Sequence, residues 1–276
     1  MQNIIVPTDY SDNANNAMHY AAALAQATGA RLVLYHAFAY PIITTDVPYE
    51  VEKYIDEIQT SDRATLQEIK RELERQYPIE VKCISQAGSV SYHLQEIAQR
   101  ENGDLVVMGL RGSNPALNIL MGSTTFEVMR QGKFPLLIVP KNARFSPPKR
   151  LLFACDNPWV GLEATVKPLK DIATAFGAAI EVFTVVEPTV PSTAPKPARP
   201  SNLEQHFEKI QHIYTFEETA EVRASILESI RESNADILAM IPRHHPVWQY
   251  LFGKSDTLSV ALQTTIPLLA LAENPL

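Results

Sequence analysis

The sequence is poor in cysteine: its 276 residues include only Cys83 and Cys155. The two do not form a CxxC pair, and no histidine lies at metal-ligand spacing from either of them. This argues against a disulfide-stabilised secreted scaffold and against a structural zinc module, and no metal ligand is assigned. The sequence instead predicts buried, reduced thiols in a reducing compartment.

The sequence also lacks long apolar runs and any excess of positive charge. No apolar run approaches the ~18–20 residues that a membrane span requires, and the opening segment MQNIIVPTDYSD has neither the basic nor the apolar part of a signal peptide. The net charge is -7 at pH 7, and most of it falls after residue 150. Nucleic acid and anionic membrane surfaces are therefore not expected as partners, and we expect a cytoplasmic protein.

What the sequence does contain is an internal repeat. The segment Asn3–Asp9 (NIIVPTD) resembles Arg150–Asp156 (RLLFACD), 147 positions later. Further along, DLVVM resembles DILAM and PLLIVP resembles PLLALA, both at an offset of 132. Offsets that stay constant within each stretch indicate two copies of one domain, 1–145 and 149–276, the second shorter by about sixteen residues.

Within each copy, short apolar runs alternate with amphipathic segments, which is the pattern of a parallel sheet covered by helices on both faces. The strands expected in the first copy are Ile4–Val6, Leu32–Ala37, Ile79–Ile84, Leu105–Met108 and Leu136–Val139. Those expected in the second copy are Leu151–Ala154, Ile180–Val185, His212–Phe216, Ile237–Ile241 and Leu268–Leu271. The helices expected in the first copy are Asn13–Thr28, Tyr49–Gln76, Ser89–Arg100 and Ser123–Gln131. The sequence therefore predicts an α/β fold of two tandem copies, each built on a five-stranded parallel sheet.

The segment most informative about function is MGLRGSNPALNILMGSTTFEVMRQ, which starts at Met108 and holds three of the ten glycines. It follows a predicted strand and ends in a helix that starts at Ser123. Glycines let backbone N–H groups approach a ligand closely, and a helix N-terminus offers unpaired N–H groups and a partial positive charge to an anion. Ser123 is suited to cap that helix or to donate its hydroxyl, and Arg111 adds a positive charge. The segment predicts an anion site, although the glycines alone would also fit a plain strand-to-helix turn.

The full spacing of the segment is more specific. It reads G-x2-G-x9-G-S, formed by Gly109, Gly112, Gly122 and Ser123. This spacing resembles the nucleotide-binding motif of the universal stress protein family, as does the opening VPTDYS, and the resemblance runs across both halves of the chain. It implies a Rossmann-like domain with a five-stranded parallel sheet between helices, in which ATP-binding members hold adenine at the ends of the first, second and fourth strands.

The same resemblance implies a set of nucleotide-binding residues. At the adenine and ribose end these are Pro7, Thr8 and Asp9, with Ala37 and Met108 lining the base pocket, and around the ribose and phosphates they are Gly109, Arg111, Gly112, Gly122, Ser123 and Thr124. Ala37 departs from the valine usual at its position and is smaller. A simpler role for Asp9, as a helix N-cap near Ser11, stays open.

The function implied is that of a regulatory or stress-protective protein that binds ATP, ADP or AMP, with Mg²⁺ as a candidate companion ion. The segment supplies groups that bind phosphates, but the sequence shows no obvious general base to direct a water molecule, so no catalytic residue is assigned. Two alternatives stay open. One is an enzyme, a slow ATPase or another adenine-nucleotide hydrolase. The other is a nucleotide-free interaction protein that binds an unknown client protein.

The second copy is expected to have lost the nucleotide site. At the offset of 132, the three motif glycines become Ile241, His244 and Lys254, so each position that needed to lack a side chain has gained one. We also expect the last strands of the two copies to lie together across a pseudo-two-fold axis, as an intramolecular pseudo-dimer, because each would otherwise leave an exposed edge. Association between chains stays open.

Overall fold

The computed structural model describes residues 1–39, 48–110, 123–155, 163–186, 201–241 and 264–272. The strands of the described part are β1 (Asn3–Thr8), β2 (Arg31–Phe38), β3 (Val81–Ala87), β4 (Leu105–Gly109), β5 (Leu136–Val139), β6 (Arg150–Ala154), β7 (Ala179–Val186), β8 (His212–Glu218), β9 (Ile237–Met240) and β10 (Leu268–Ala270). The helices are α1 (Asp12–Thr28), α2 (Pro48–Gln76), α3 (Val90–Arg100), α4 (Ser123–Gln131), α5 (Glu163–Phe176), α6 (Ser201–Phe207) and α7 (Val222–Ser233). Among these helices, none is long and apolar enough to cross a bilayer.

The ten strands form one sheet in the order β3-β2-β1-β4-β5-β10-β9-β6-β7-β8. Neighbouring strands are parallel within each half, and the central pair, β5 and β10, is antiparallel. Read outward from the centre, both halves have the same order of fifth, fourth, first, second and third strand. The expected α/β fold of two five-stranded parallel sheets is therefore confirmed.

The register of the central pair has an internal symmetry. Leu269 lies opposite Leu137, and Leu268 lies opposite Ile138. Because the repeat offset here is 132, Leu269 is the counterpart of Leu137, and the register maps onto itself under a two-fold rotation perpendicular to the sheet. The two last strands thus pair directly, as expected, and each covers the other's open edge.

Corresponding turns of the two halves are also held by the same contacts. Asp104, just before β4, accepts hydrogen bonds through Oδ2 from the backbone nitrogens of Gln2 and Asn3, at 2.5 and 3.1 Å. Asp236, just before β9, accepts the equivalent bond from the Arg150 nitrogen at 3.0 Å. A carboxylate therefore joins the start of the fourth strand to the start of the first strand in both halves.

The side chains of the sheet alternate between two buried apolar layers, one on each face. Helices α1, α2, α5 and α6 cover the face that contains Leu137 and Leu269, and α3, α4 and α7 cover the face that contains Leu136 and Leu268. Each layer is continuous across β5 and β10, so the two halves share their core. Phe145, in the segment between the halves, lies against both of them, with its ring centroid 5.3 Å from Tyr20 and 5.9 Å from Phe176.

Because the two halves share their core, we expect them to unfold in one cooperative transition. Leu137 is fully buried on the first-half side of the central pair, and Leu137→Ala should cost about 2–5 kcal/mol of stability. Both tryptophans, Trp159 and Trp248, lie in the second half of the sequence. In Leu137→Ala, we expect the denaturation midpoint measured by tryptophan fluorescence and the midpoint measured by far-UV circular dichroism to decrease by the same amount.

The control for this experiment is Ile213→Ala, because Ile213 is 58% exposed and its truncation should change the free energy of unfolding by less than about 0.5 kcal/mol. A fluorescence transition that stays in place while the circular dichroism transition moves would show that the halves unfold independently.

Candidate functional site

A cavity of about 150 Å³ lies at the carboxyl ends of β1 and β4. This is where the strand order of the first half reverses direction: β1 is followed by α1 on one face of the sheet, and β4 is followed by α4 on the other. Open parallel sheets leave a crevice at such a switch point. The residues that line the cavity are Pro7, Thr8, Asp9, Ser11, Asn13, Ala14, Val90, Met108, Gly109, Thr124 and Thr125.

The structure brings six of the eleven residues predicted for the site to this cavity: Pro7, Thr8, Asp9, Met108, Gly109 and Thr124. Ser123 begins α4 beside them. Ala37 lies on β2, half-buried against the apolar layer under α3 and α4, and is not among the residues lining the described cavity. Arg111, Gly112 and Gly122 lie outside the described residues. The roles assigned to these residues stay predictions.

Three short hydrogen-bonded links shape the turn between β1 and α1. The buried hydroxyl of Thr8 accepts from the Tyr10 nitrogen at 3.0 Å, and Oδ1 of Asp9 accepts from the Ser11 nitrogen, also at 3.0 Å. Ser11 is the N-cap of α1, since its Oγ accepts from the Ala14 nitrogen at 3.3 Å. The N-cap role considered for Asp9 therefore belongs to Ser11, and Asp9 holds the turn from the rim of the cavity.

Gly109 is required by the packing of the backbone. A Cβ atom built at Gly109 would lie 2.4 Å from the carbonyl oxygen of Asn13 and 2.7 Å from its carbonyl carbon. The hydroxyl of Thr125 donates to the Gly109 carbonyl at 3.1 Å. The end of β4 therefore contacts the first turn of α1 directly and is tied to the first turn of α4, and this contact sets the width of the cavity.

Asn13 is a cavity residue that the sequence alone did not reveal. Its side-chain oxygen is buried and has no hydrogen-bond partner among the residues that the structure describes, and Asn13 lines the cavity. A buried amide oxygen without a partner is unfavourable unless a ligand or solvent satisfies it. The side chain therefore suits an amino or hydroxyl group of a bound molecule.

The chemistry of the described cavity is that of a binding site. Its polar side chains are the hydroxyls of Thr8, Ser11, Thr124 and Thr125, the amide of Asn13 and the carboxylate of Asp9, and its apolar walls are Val90 and Met108. Among the described residues, no group of three or more His, Cys, Asp and Glu side chains is arranged to hold a metal ion. The arrangement supplies hydrogen bonds and apolar contact to a polar organic ligand.

The corresponding place in the second half is built differently. Met108 pairs with Ile138 on β5, and Met240 pairs with Ala270 on β10, so the structure sets Ile241 in the position of Gly109. Ile241 is partly buried and packs against the apolar layer under α5. Its side chain thus points to the face on which Gly109 meets the backbone of α1. The positions His244 and Lys254 lie outside the described residues.

These features define a Rossmann-like α/β fold, and comparison with known proteins identifies its family. The model of the universal stress protein family matches residues 1–140, about half of the chain, and the chain belongs to this family. It is 26% identical over 153 residues to universal stress protein MJ0577 of Methanocaldococcus jannaschii, a match that covers 50% of this chain and 94% of that protein. It is 29% identical over 148 residues to a universal stress protein of Thermus aquaticus, with 49% of this chain and 96% of that protein covered.

Among solved structures, a universal stress protein from Archaeoglobus fulgidus matches nearly the whole chain. The match has a TM-score of 0.71 and 19% identity, and it covers 99% of this chain and 98% of that one. The similarity shows that the fold of the whole chain, including its second half, is found in another member of the family.

A substitution at Gly109 tests the packing that defines the cavity. Gly109→Ala should force α1 away from β4, since the added methyl group meets backbone, and should cost about 1–3 kcal/mol. We expect shifts of the backbone amide resonances of Asn13 and Ala14 in a ¹⁵N–¹H spectrum.

Gly132→Ala is the matched control. An added Cβ there meets nothing within 4 Å, and the substitution strains only the local backbone, whose φ is 58°. It should lower stability without moving the α1 resonances. Unshifted α1 resonances in Gly109→Ala would refute the close contact.

Proposed function

We propose that the chain binds an adenine nucleotide, ATP, ADP or AMP, in the cavity at the ends of β1 and β4, and serves a regulatory or stress-protective role. The observation that carries the proposal is the placement of Thr8, Asp9, Met108, Gly109 and Thr124 around one cavity. These residues come from separate segments, and they are the ones that the resemblance to ATP-binding universal stress proteins assigns to the nucleotide.

The chemistry of each wall supports this ligand. Val90 and Met108 offer apolar surface to a flat base, and Asn13 offers an acceptor to an amino or hydroxyl group. The N-terminus of α4 carries the positive end of the helix dipole, which favours phosphate. In the proposed site, Arg111, Gly112 and Gly122 complete the phosphate loop, as the motif implies.

We further propose that the chain consists of two domains, 1–145 and 149–276, and that only the first binds nucleotide. In support of this, Ile241 has a branched side chain where Gly109 has none, and Cys155 stands where β1 has the hydroxyl of Thr8. Residues after 150 also carry most of the negative charge, which disfavours a phosphate ligand. The second domain would then serve as the structural partner and as an interaction surface for a client protein.

Binding without rapid turnover fits the side chains of the cavity best. Asp9 is the one carboxylate that lines its described part, and one of its oxygens is engaged by the Ser11 nitrogen. A general base needs a position within hydrogen-bond reach of the attacking water. Mg²⁺ would be held mainly by the phosphate oxygens and by water, as is usual for this ion. A slow ATPase is the competing function, and turnover measured on the same sample as binding decides between them.

Substitution in the phosphate loop tests the proposal. Gly122→Val should weaken ATP binding at least about 100-fold, because a side chain there blocks two or more hydrogen bonds to charged phosphate. Equilibrium dialysis with labelled ATP measures the affinity, and release of labelled phosphate from the same sample measures hydrolysis.

The matched control is Lys254→Val, the same substitution at the corresponding position of the second half. It should leave the affinity for ATP unchanged. Equal affinities in native protein and folded Gly122→Val would remove the assignment of the phosphate loop, and turnover on the minute scale would favour the ATPase.

A further inference from the structure

A cluster of polar side chains lies under the end of the sheet, next to the cavity and outside its lining. Asp62, in the middle of α2, has a side chain that is 7% exposed and lies 2.7 Å from His36 Nδ1. Its Oδ1 also accepts a hydrogen bond from the Tyr10 hydroxyl, and its Oδ2 accepts one from Ser85 Oγ at 2.5 Å. One carboxylate thus joins the ends of β1, β2 and β3 to α2.

Tyr10 is the member of the cluster whose two neighbours in the sequence line the cavity. Its backbone φ is 62°, in the left-handed region that a bulky residue without a compensating contact avoids, at a cost of roughly 1–2 kcal/mol. Its nitrogen donates to Thr8 Oγ1, and its carbonyl accepts from Asn15 Nδ2 at 3.3 Å. Its ring lies against that of His36, with centroids 4.4 Å apart.

The protonation states favour a strong bond between Tyr10 and Asp62. Burial and the neighbouring Asp62 raise the pKa of the Tyr10 hydroxyl far above its usual value, so this group stays a donor. Burial alone would raise the pKa of Asp62, but Ser85, Tyr10 and His36 together hold the pKa of this carboxyl below its usual value. At neutral pH the phenol therefore donates to a carboxylate, and such charge-assisted bonds are about twice as strong as neutral ones.

The two residues that flank Tyr10 line the cavity. These residues are Asp9 and Ser11, and the Ser11 nitrogen donates a hydrogen bond to Asp9 Oδ1, which links the residues on either side of Tyr10. If the Tyr10 backbone relaxed to negative φ, both would move, and the N-cap of α1 would move with them. The side chain of Tyr10 points away from the cavity to Asp62, so it holds the turn without touching a ligand.

We propose that Tyr10 is a positioning residue: its bond to Asp62 of α2 fixes the left-handed bend that presents Thr8, Asp9 and Ser11 to the ligand. The predicted effect of Tyr10 on nucleotide affinity rests on the proposed function. The geometry of the bend itself does not depend on the ligand.

The test removes one hydroxyl group. Tyr10→Phe keeps the ring on His36 and loses the bond to Asp62, and we expect affinity for ATP to fall about fivefold to tenfold. Affinity for adenosine should fall by the same factor, because the turn contacts the nucleoside end.

The control is Tyr77→Phe, which removes a hydroxyl 3.4 Å from His19 Nδ1 and should leave both affinities unchanged. Measurement at 10 °C on folded protein separates positioning from a merely structural role, which would lower the melting temperature and leave the affinity intact.

Two further measurements complete the test. In a double-mutant cycle, Tyr10→Phe combined with Asp62→Ala should bind ATP no more weakly than the weaker single variant, because each change alone already removes the bond between the two side chains. In ligand-free protein, hydrogen exchange should speed up in peptides covering residues 8–14 of Tyr10→Phe.

The outcomes distinguish the two proposals. The role of Tyr10 would be overturned if hydrogen exchange in Tyr10→Phe were unchanged. It would also be overturned if the native chain bound ATP and Tyr10→Phe bound it with the same affinity, or if the fold-changes of the two single variants multiplied in the double variant. Faster exchange in a chain whose native form binds no ATP would support the positioning of the turn and refute the proposed function.

Discussion

The antiparallel pairing of β5 with β10 holds the two halves of the sheet together. It joins two parallel sheets that would each end in an open edge, and it makes both apolar layers continuous from one half to the other. It also sets the direction of the strands. Because the strands of the two halves run in opposite directions, the carboxyl ends of β1 and β4 and those of β6 and β9 lie on opposite sides of the sheet, at opposite ends of its strands.

The shared core and the cavity of the first half are close neighbours in the sheet. Leu137 pairs with Val107 on β4, one residue before the cavity residue Met108. In the second half, Ile241 stands in the position of Gly109 and packs against the apolar layer. Because added apolar burial stabilises the fold, Ile241 contributes to the shared core at the level where Gly109 borders the cavity.

Sequence reasoning succeeded where the signal is local. Apolar runs predicted the ends of the strands within three residues, and the repeat predicted that the last strands of the halves would meet. The resemblance assigned Thr8, Asp9 and Gly109 to one site, and the structure places them around one cavity, because the carboxyl ends of parallel strands meet on one side of a sheet. At the ends of α1 the structure shows a side-chain cap at Ser11 and a left-handed glycine, Gly29, with φ of 70°.

The features that sequence reasoning missed depend on contacts between distant segments. Asn13 and Val90 line the cavity because of the way α1 and α3 approach β4, which periodicity does not specify. The bond from Tyr10 to Asp62 joins residues 52 positions apart, and no residue pattern near Tyr10 indicates it. Ala37, which the resemblance assigned to the base pocket, lies on β2, partly buried against the apolar layer under α3 and α4, and its role stays a prediction.

We propose that one half of the chain binds a nucleotide and that the other half supports it. Calorimetric titration of ATP into the full chain tests this proposal, because it gives the number of sites without disturbing the fold. We expect one nucleotide per chain. Two nucleotides per chain would refute the proposal, since the second half would then hold a ligand where Ile241 stands in place of glycine.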